Sequence, residues 1–369
     1  MSFFTVVLLV IGLGCLVGGA ELLVRGAAAI ASRLGISPVV IGLTVVAFGT
    51  SAPELAVSVN AALGGSADVA LGNVVGSNIV NILLILGLSA TVGALAVTQR
   101  IIRLDVPILI VVTVAMMAMS LDNSIGRLDG LILVFGAVGY TVWLVRTSRG
   151  DDKDAAIAEE YKEAVDILDE NVVKLPLFTQ ILFVLGGLVV LVVGSQLLVN
   201  SATDIAESFG VSELVIGLTI VAIGTSLPEL ATSVMASIRG ERDIAVGNVI
   251  GSNLFNIMLV LGASSSLSSD GINVQASALR LDMPVMLGAT IALLPICWNG
   301  FQIKRWEGFV LAGFYAIYVI YLILDTNDHS ASSVVGPAVF LVASLSMLGF
   351  SVAGYQGWRR HRAAVRAQQ

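Results

Sequence analysis

Hydrophobic residues gather along the chain into runs of about 20, the length at which a helix crosses the hydrocarbon core of a bilayer, separated by short polar stretches. Read this way, spans fall near 3–24, 38–62, 70–96, 104–121, 128–146, 178–200, 213–238, 246–268, 283–299, 307–324 and 334–357. The first run lacks the basic start of a signal peptide and stays apolar past Gly19, so it is expected to be a retained span. Two runs have a polar break at their centre: GLTVVAFGTSAPELAVSV from Gly42 to Val59, and GLTIVAIGTSLPELATSV from Gly217 to Val234. Each predicts a broken helix with a glutamate, Glu54 or Glu229, deep in the membrane.

A carboxylate at the bilayer centre costs about 2.5–3.5 kcal/mol even on insertion scales, so intramembrane acids mark functional sites unless they are paired. No arginine or lysine lies in either stretch. Pro53 and Pro228 donate no backbone N–H and clash with the preceding turn, which is expected to leave the carbonyls of Ala47 to Gly49 and Ala222 to Gly224 without helical partners. Such carbonyls can coordinate a cation. The alternative is a pair of kinked core helices whose glutamates pair with arginines from elsewhere.

Composition sets the surroundings. With 57% hydrophobic and 12% charged residues over 369 positions, the chain is a polytopic membrane protein, since soluble domains carry about 25% charged residues. Cys15 and Cys297 both lie in predicted spans, which argues against a disulfide framework or a thiolate metal site. His329 and His361 both lie outside the spans, which excludes an intramembrane HExxH metalloprotease.

With the N-terminus outside, one set of loops and ends holds 17 of the 19 basic residues and the other only Arg127 and Arg280. This bias places the basic side in the cytoplasm. It also supports the eleventh span, which delivers the tail RRHRAAVR to that side. Between the halves, Gly150 to Lys174 carries nine acidic residues. It reads as a solvated amphipathic linker helix; a calcium-sensing loop is the other reading, although EF-hand spacing and its glycine are missing.

Residues 35–87 align with 210–262 at a constant offset of 175, with 33 identities in 53 positions and no gap. An internal duplication explains this. Five spans lie within one offset, and because five is odd the second copy must enter the membrane upside down. The expected fold is all-α: two inverted-topology five-helix repeats forming a ten-helix core, plus an eleventh C-terminal transmembrane helix. The units are residues 1–149, an acidic cytoplasmic linker at 150–176, residues 177–325, and an additional span and tail at 326–369.

The span after each broken helix carries a second motif, ALGNVVGSNIVNILLILG from Ala70 and AVGNVIGSNLFNIMLVLG from Ala245. Asn78 and Asn81 share a helix face, as do Asn253 and Asn256, and their amide oxygens are neutral hard ligands; helix-to-helix hydrogen bonding is the competing role. Asp68 and Asp243 read as N-caps. The segments RLDVP from Arg103 and RLDMP from Arg280 read as interfacial anchors and helix starts. Glu21 corresponds to Gln196, so its charge is not part of the repeat, and a structural or gating role for it stays open.

Glu54 and Thr50 are four apart on one face, as are Glu229 and Thr225, and pseudosymmetry would bring both faces to one point. Together with Ser51 and Ser226 they make an all-oxygen cage. Without thiolate or imidazole it does not suit zinc, copper or iron. Calcium accepts irregular oxygen coordination better than magnesium does. A charge of about −2 is balanced by one divalent ion or by monovalent ions, so calcium would compete with sodium or protons.

GTSAPEL and GTSLPEL, each followed by GNVVGSN or GNVIGSN, resemble the paired alpha repeats of the calcium/cation antiporter superfamily, in its prokaryotic sodium/calcium exchanger branch. The resemblance implies a ten-span core, exchange of Ca2+ for Na+, and alternating access by sliding of the first and sixth spans. It implies that Glu54, Glu229, Thr50 and Thr225 are calcium ligands. Ala47, Ser51, Ala222 and Ser226, with Ser77 and Ser252, match positions that serve flanking sodium sites, and Asn81 and Asn256 match the slot beside the glutamates. Some relatives carry aspartate in that slot, so potassium co-transport is disfavoured here. The expectation is a secondary antiporter of the cell (inner or plasma) membrane, with Ca2+, Na+ or H+ and the lipid bilayer as partners, no nucleic acid, no prosthetic group and no required oligomer. A Ca2+/H+ antiporter is the alternative within transport. A calcium-gated sensor or scaffold is the alternative from another class, and a membrane-embedded enzyme lacks a nucleophile and base in register.

Overall fold

The computed structural model describes residues 3–65, 67–148, 175–209, 222–269 and 271–326. The acidic segment from Gly150 to Lys174, residues 210–221 at the start of the second broken run, and the eleventh span with its basic tail lie outside them. Within the described residues the chain is an all-helical polytopic membrane fold. Eight helices are long and apolar enough to cross a membrane, and one further crossing is a bent pair.

The first helix, α1 (Phe3–Leu34), runs ten residues past its predicted end at 24, carrying Arg25 and Arg33 within it. Its 32 residues make a rod of about 48 Å at 1.5 Å per residue, longer than the roughly 30 Å apolar core. Gly35, at a left-handed φ of 63°, stops it. The broken crossing follows as α2 (Pro38–Thr50) and α3 (Ala52–Leu63), bent by 44°. Ser51 supplies the bend at φ −82°, ψ 5°, and Pro53 sits in the first turn of α3, where a missing N–H is tolerated.

Next come α4 (residues 67–92), α5 (Ile101–Asp122), α6 (Arg127–Ser148) and α7 (Leu177–Ser208), which is 32 residues long like α1. The short turn Ala222–Gly224 leads through Ser226, at φ −88°, ψ 8°, into α8 (Leu227–Ile238). Helices α9 (Arg242–Leu267), α10 (Ala278–Trp298) and α11 (Arg305–Thr326) complete the described chain. Helices α4 and α9 are its centre, with 72% and 94% of their apolar stretches buried against 22–44% for the other long helices. Each of the two contains a π-helical turn, Val80–Ile85 and Asn256–Leu261, that begins at or beside the third asparagine of its motif, Asn81 or Asn256. Such turns free backbone groups and recur at functional sites.

Close glycine contacts tie the two halves together. Gly12 of α1 meets the Gly194 carbonyl of α7, and Gly19 meets that of Gly187; an added Cβ at either α1 position would lie 3.0 or 2.9 Å from that oxygen. Gly87 packs on Gly308 of α11 and Gly130 on Gly262 of α9 in the same way. Two-residue strands pair between the halves as well: β1 (Leu95–Ala96) with β4 (Gln302–Ile303), and β2 (Ser124–Ile125) with β3 (Ile272–Asn273), both antiparallel.

Several local expectations change. The residue before α9 is Glu241, so Asp243 sits inside the first turn rather than capping it, and α4 likewise begins before Asp68, at Ala67. Both acids still suit the positive end of the helix dipole. Asp105 is no interfacial anchor: it is wholly buried and accepts the Tyr140 hydroxyl at 3.0 Å, while Asp282 accepts Tyr318 at 2.8 Å. A π-helical turn precedes each proline, at Ile101–Asp105 and Ala278–Asp282, so the RLD segments lie in the opening turns of α5 and α10. Glu21 pairs in bidentate fashion with Arg239 at the end of α8, with Nε to Oε2 at 2.7 Å, and also with Arg25.

Glu241 lies between spans, and its burial pushes its carboxyl up to about 7 from an ordinary 4.5. The folded protein therefore binds this proton where the unfolded chain does not, and stability falls as pH rises from about 4.5 to 7. Glu241→Gln is expected to melt higher than the parent above pH 7 and alike near pH 4. Parallel melting curves at every pH would refute it.

Candidate functional site

The two breaks meet in the interior. Glu54 and Glu229 are both fully buried, each in the first turn of the helix after its break, where the N-terminal end of the dipole favours a negative charge. Glu229 lies close enough to Glu54 to feel its charge. The hydroxyls that serve them come crosswise. Ser51 donates to Glu229 Oε1 at 3.2 Å, and Ser226 donates to Glu54 Oε1 at 3.3 Å. Thr50 approaches Glu229 and Thr225 approaches Glu54. The four-residue spacing of Thr50 and Glu54 along one face is not what joins them, because the bend at Ser51 separates their helices.

The second oxygen of each carboxylate, Oε2, is buried without a hydrogen-bond partner among the described residues. No arginine or lysine forms an ion pair with either acid among those residues. A buried carboxylate left half-satisfied is costly. Oxygen lone pairs aimed into the interior are what a hard cation would fill. Among the described residues no three His, Cys, Asp or Glu come together, so the donor set is two carboxylates, hydroxyls, amides and carbonyls, which suits calcium or sodium rather than zinc or copper.

The carbonyls at the breaks are less free than the prolines alone suggest. Ala47 O accepts the Ser51 N–H at 3.0 Å, and Gly224 O accepts the Ser195 hydroxyl at 2.7 Å. A carbonyl has a second lone pair, so either can still face an ion. The side chain of Ala222 lies outside the described residues.

Of the predicted asparagines, Asn81 donates to Asn253 Oδ1 at 3.0 Å across the halves, whereas Asn78 turns its amide back to the Val74 carbonyl at 2.8 Å. Among the described residues, Asn256 is fully buried with both amide atoms unpartnered, and Ser77 Oγ is likewise unpartnered. Ser252 lies 3.5 Å from the Thr50 hydroxyl. Both central helices thus bring unpartnered polar groups into the interior.

Asn73, Asn248, Ser58 and Ser233 were missed. Asn73 Nδ2 donates to Ser58 Oγ at 2.9 Å and to the Glu54 carbonyl at 3.4 Å; Asn248 Nδ2 donates to Ser233 Oγ at 2.9 Å and to the Glu229 carbonyl at 3.4 Å. All four recur at the offset of 175, a signal present in the repeat but hidden among its many other identities.

The family model described as "Sodium/calcium exchanger protein" matches twice, over residues 4–146 and 179–324. The inner membrane protein YrbG of Escherichia coli is 38% identical over 316 residues, covering 85% of this chain and 95% of that protein. The sodium/calcium exchanger MaX1 of Methanosarcina acetivorans is 32% identical over 347 residues, covering 85% and 97%. A solved structure of the sodium-calcium exchanger NCX_Mj, soaked with 2.5 mM Na+ and 10 mM Sr2+, superimposes with a TM-score of 0.74 at 28% identity, covering 87% of this chain and 99% of that one.

Proposed function

The chain belongs to the sodium/calcium exchanger family, and on that premise we propose that it is a secondary antiporter of the cell membrane that exports Ca2+ in exchange for Na+. One observation carries this reading: two buried carboxylates from opposite halves, each held by a serine of the other half and, among the described residues, each with one oxygen unpartnered and neither paired with a basic residue. Two ionised carboxylates balance one divalent ion, and the irregular hydroxyl and carbonyl surroundings suit Ca2+. The ligands are Glu54, Glu229, Thr50 and Thr225. Ser51, Ser226, Ala47, Ala222, Ser77 and Ser252 serve the flanking sodium positions, and Asn81 and Asn256, with Asn78 and Asn253 behind them, line the slot between.

The frame is two inverted five-span repeats, residues 1–149 and 177–325. Crosswise contacts support it: Gly12 with Gly194 and Gly19 with Gly187 are exchanged by the offset of 175, and the pairs β1·β4 and β2·β3 exchange in the same sense. That pattern is what a two-fold axis in the membrane plane produces. The basic loops place the N-terminus outside. Exchange follows when Ca2+ and Na+ occupy the same carboxylates in turn and only occupied forms let α1 and α7 slide.

In inside-out vesicles with pH clamped, a sodium gradient is expected to drive Ca2+ movement. Undiminished Ca2+ transport without sodium, following an imposed pH gradient, would make the protein a Ca2+/H+ antiporter instead.

A further inference from the structure

We propose that Asn73 and Asn248 are positioning residues that aim the Thr225 and Thr50 hydroxyl oxygens at the transported ion by taking their protons; this rests on the antiporter reading of the site. The Thr50 hydroxyl lies 3.2 Å from Asn248 Oδ1, 3.4 Å from the Ala47 carbonyl and 3.5 Å from Ser252 Oγ, and it also approaches the Glu229 carboxylate. Of the three hydrogen-bond contacts the amide oxygen is the nearest. In the other half the Thr225 hydroxyl donates to Asn73 Oδ1 at 3.4 Å. The arrangement is therefore built twice, each time from the central helix of one half to the break of the other.

The orientation of each amide is set by its other end. Nδ2 donates to a serine hydroxyl and to the glutamate's own backbone carbonyl, so Oδ1 must face the threonine. A hydroxyl has one proton and two lone pairs. A threonine whose proton pointed into the site would meet a cation with the wrong end of its dipole, and one whose proton is held by the amide presents lone pairs before the ion arrives. Groups that orient ligands in this way are worth about 10- to 100-fold in metal affinity.

The test is a double-mutant cycle on Ca2+ affinity, measured calorimetrically on the purified full chain without sodium, with ion-free melting as a check on folding. Asn248→Leu is expected to weaken Ca2+ binding about 10- to 100-fold. In a Thr50→Val background the same change should cost about threefold or less, because it acts through the hydroxyl that is already gone. Equal losses in both backgrounds would mean that Asn248 merely supports the fold, and no loss in either would also overturn the proposal. If Asn248→Leu does not fold, the partly exposed copy, Asn73→Leu with Thr225→Val, decides by the same criteria. Glu54→Gln runs alongside: unchanged Ca2+ affinity in that variant defeats the site itself, whereas its loss together with an unaffected Asn248→Leu defeats only the positioning role.

Discussion

Glu54→Gln, or Glu229→Gln, is expected to abolish calcium transport while leaving a folded protein. Glutamine keeps the shape of the side chain and can still accept the serine hydroxyl that each glutamate now holds, Ser226 for Glu54 and Ser51 for Glu229. What it removes is one of two buried negative charges, leaving a divalent ion half-compensated where water is scarce. Removing one partner of a buried charge pair costs about 3–5 kcal/mol, which at about 1.4 kcal/mol per decade is a 100- to 1000-fold or greater loss of Ca2+ affinity. The folded state should not suffer, since each variant also relieves the repulsion between the two acids when no ion is bound. Calcium uptake into proteoliposomes, with ion-free melting as the control, measures both halves of the expectation. Transport at the parental rate in either variant would remove these carboxylates from the mechanism.

Substitution of Gly19 by leucine should damage folding itself. Helices α1 and α7 touch backbone to backbone at their crossing, and a Cβ on Gly19 would lie 2.8 Å from the Leu191 nitrogen and 2.9 Å from the Gly187 oxygen. Neither atom can rotate away, so the helices must separate and lose the packing that holds them in lipid, where no hydrophobic force draws them together. Overpacking of this kind costs about 1–3 kcal/mol, occasionally more, against a total stability of about 5–15 kcal/mol. The expected result is a lower melting temperature and poor yield. Gly18→Leu is the matched control, because Gly18 is exposed and nothing lies within 4 Å of its added Cβ. Equal melting of the two variants would show that the crossing is not the tight contact described here.

The reach of the sequence differs from element to element. The membrane-spanning helices, the two breaks and the two glutamates follow from apolar run length, proline and the 175-residue repeat, because in a bilayer local chemistry dictates helix and leaves few other choices. Asp105 shows the limit: a charged residue near a run's end reads as interfacial, and only packing against Tyr140 reveals that it is buried. The reach of α1 to Leu34 was also hidden, since Arg25 closes the apolar run while Ala27, Ala28, Ala29 and Ala31 beyond it are buried against the rest of the protein.

By itself, then, the sequence determined that two acidic, proline-broken spans exist and that no basic residue within them neutralises their charge. Tertiary structure decided which groups meet. Serine and threonine hydroxyls serve the carboxylate of the opposite half, Asn73 and Asn248 hold the threonines, and Asn78 turns back to its own helix. The physical reason is that helix-face spacing fixes directions only within one unbroken helix. At a bend, and between helices 175 residues apart in sequence, the direction of a side chain is set by the packing of the two halves against each other.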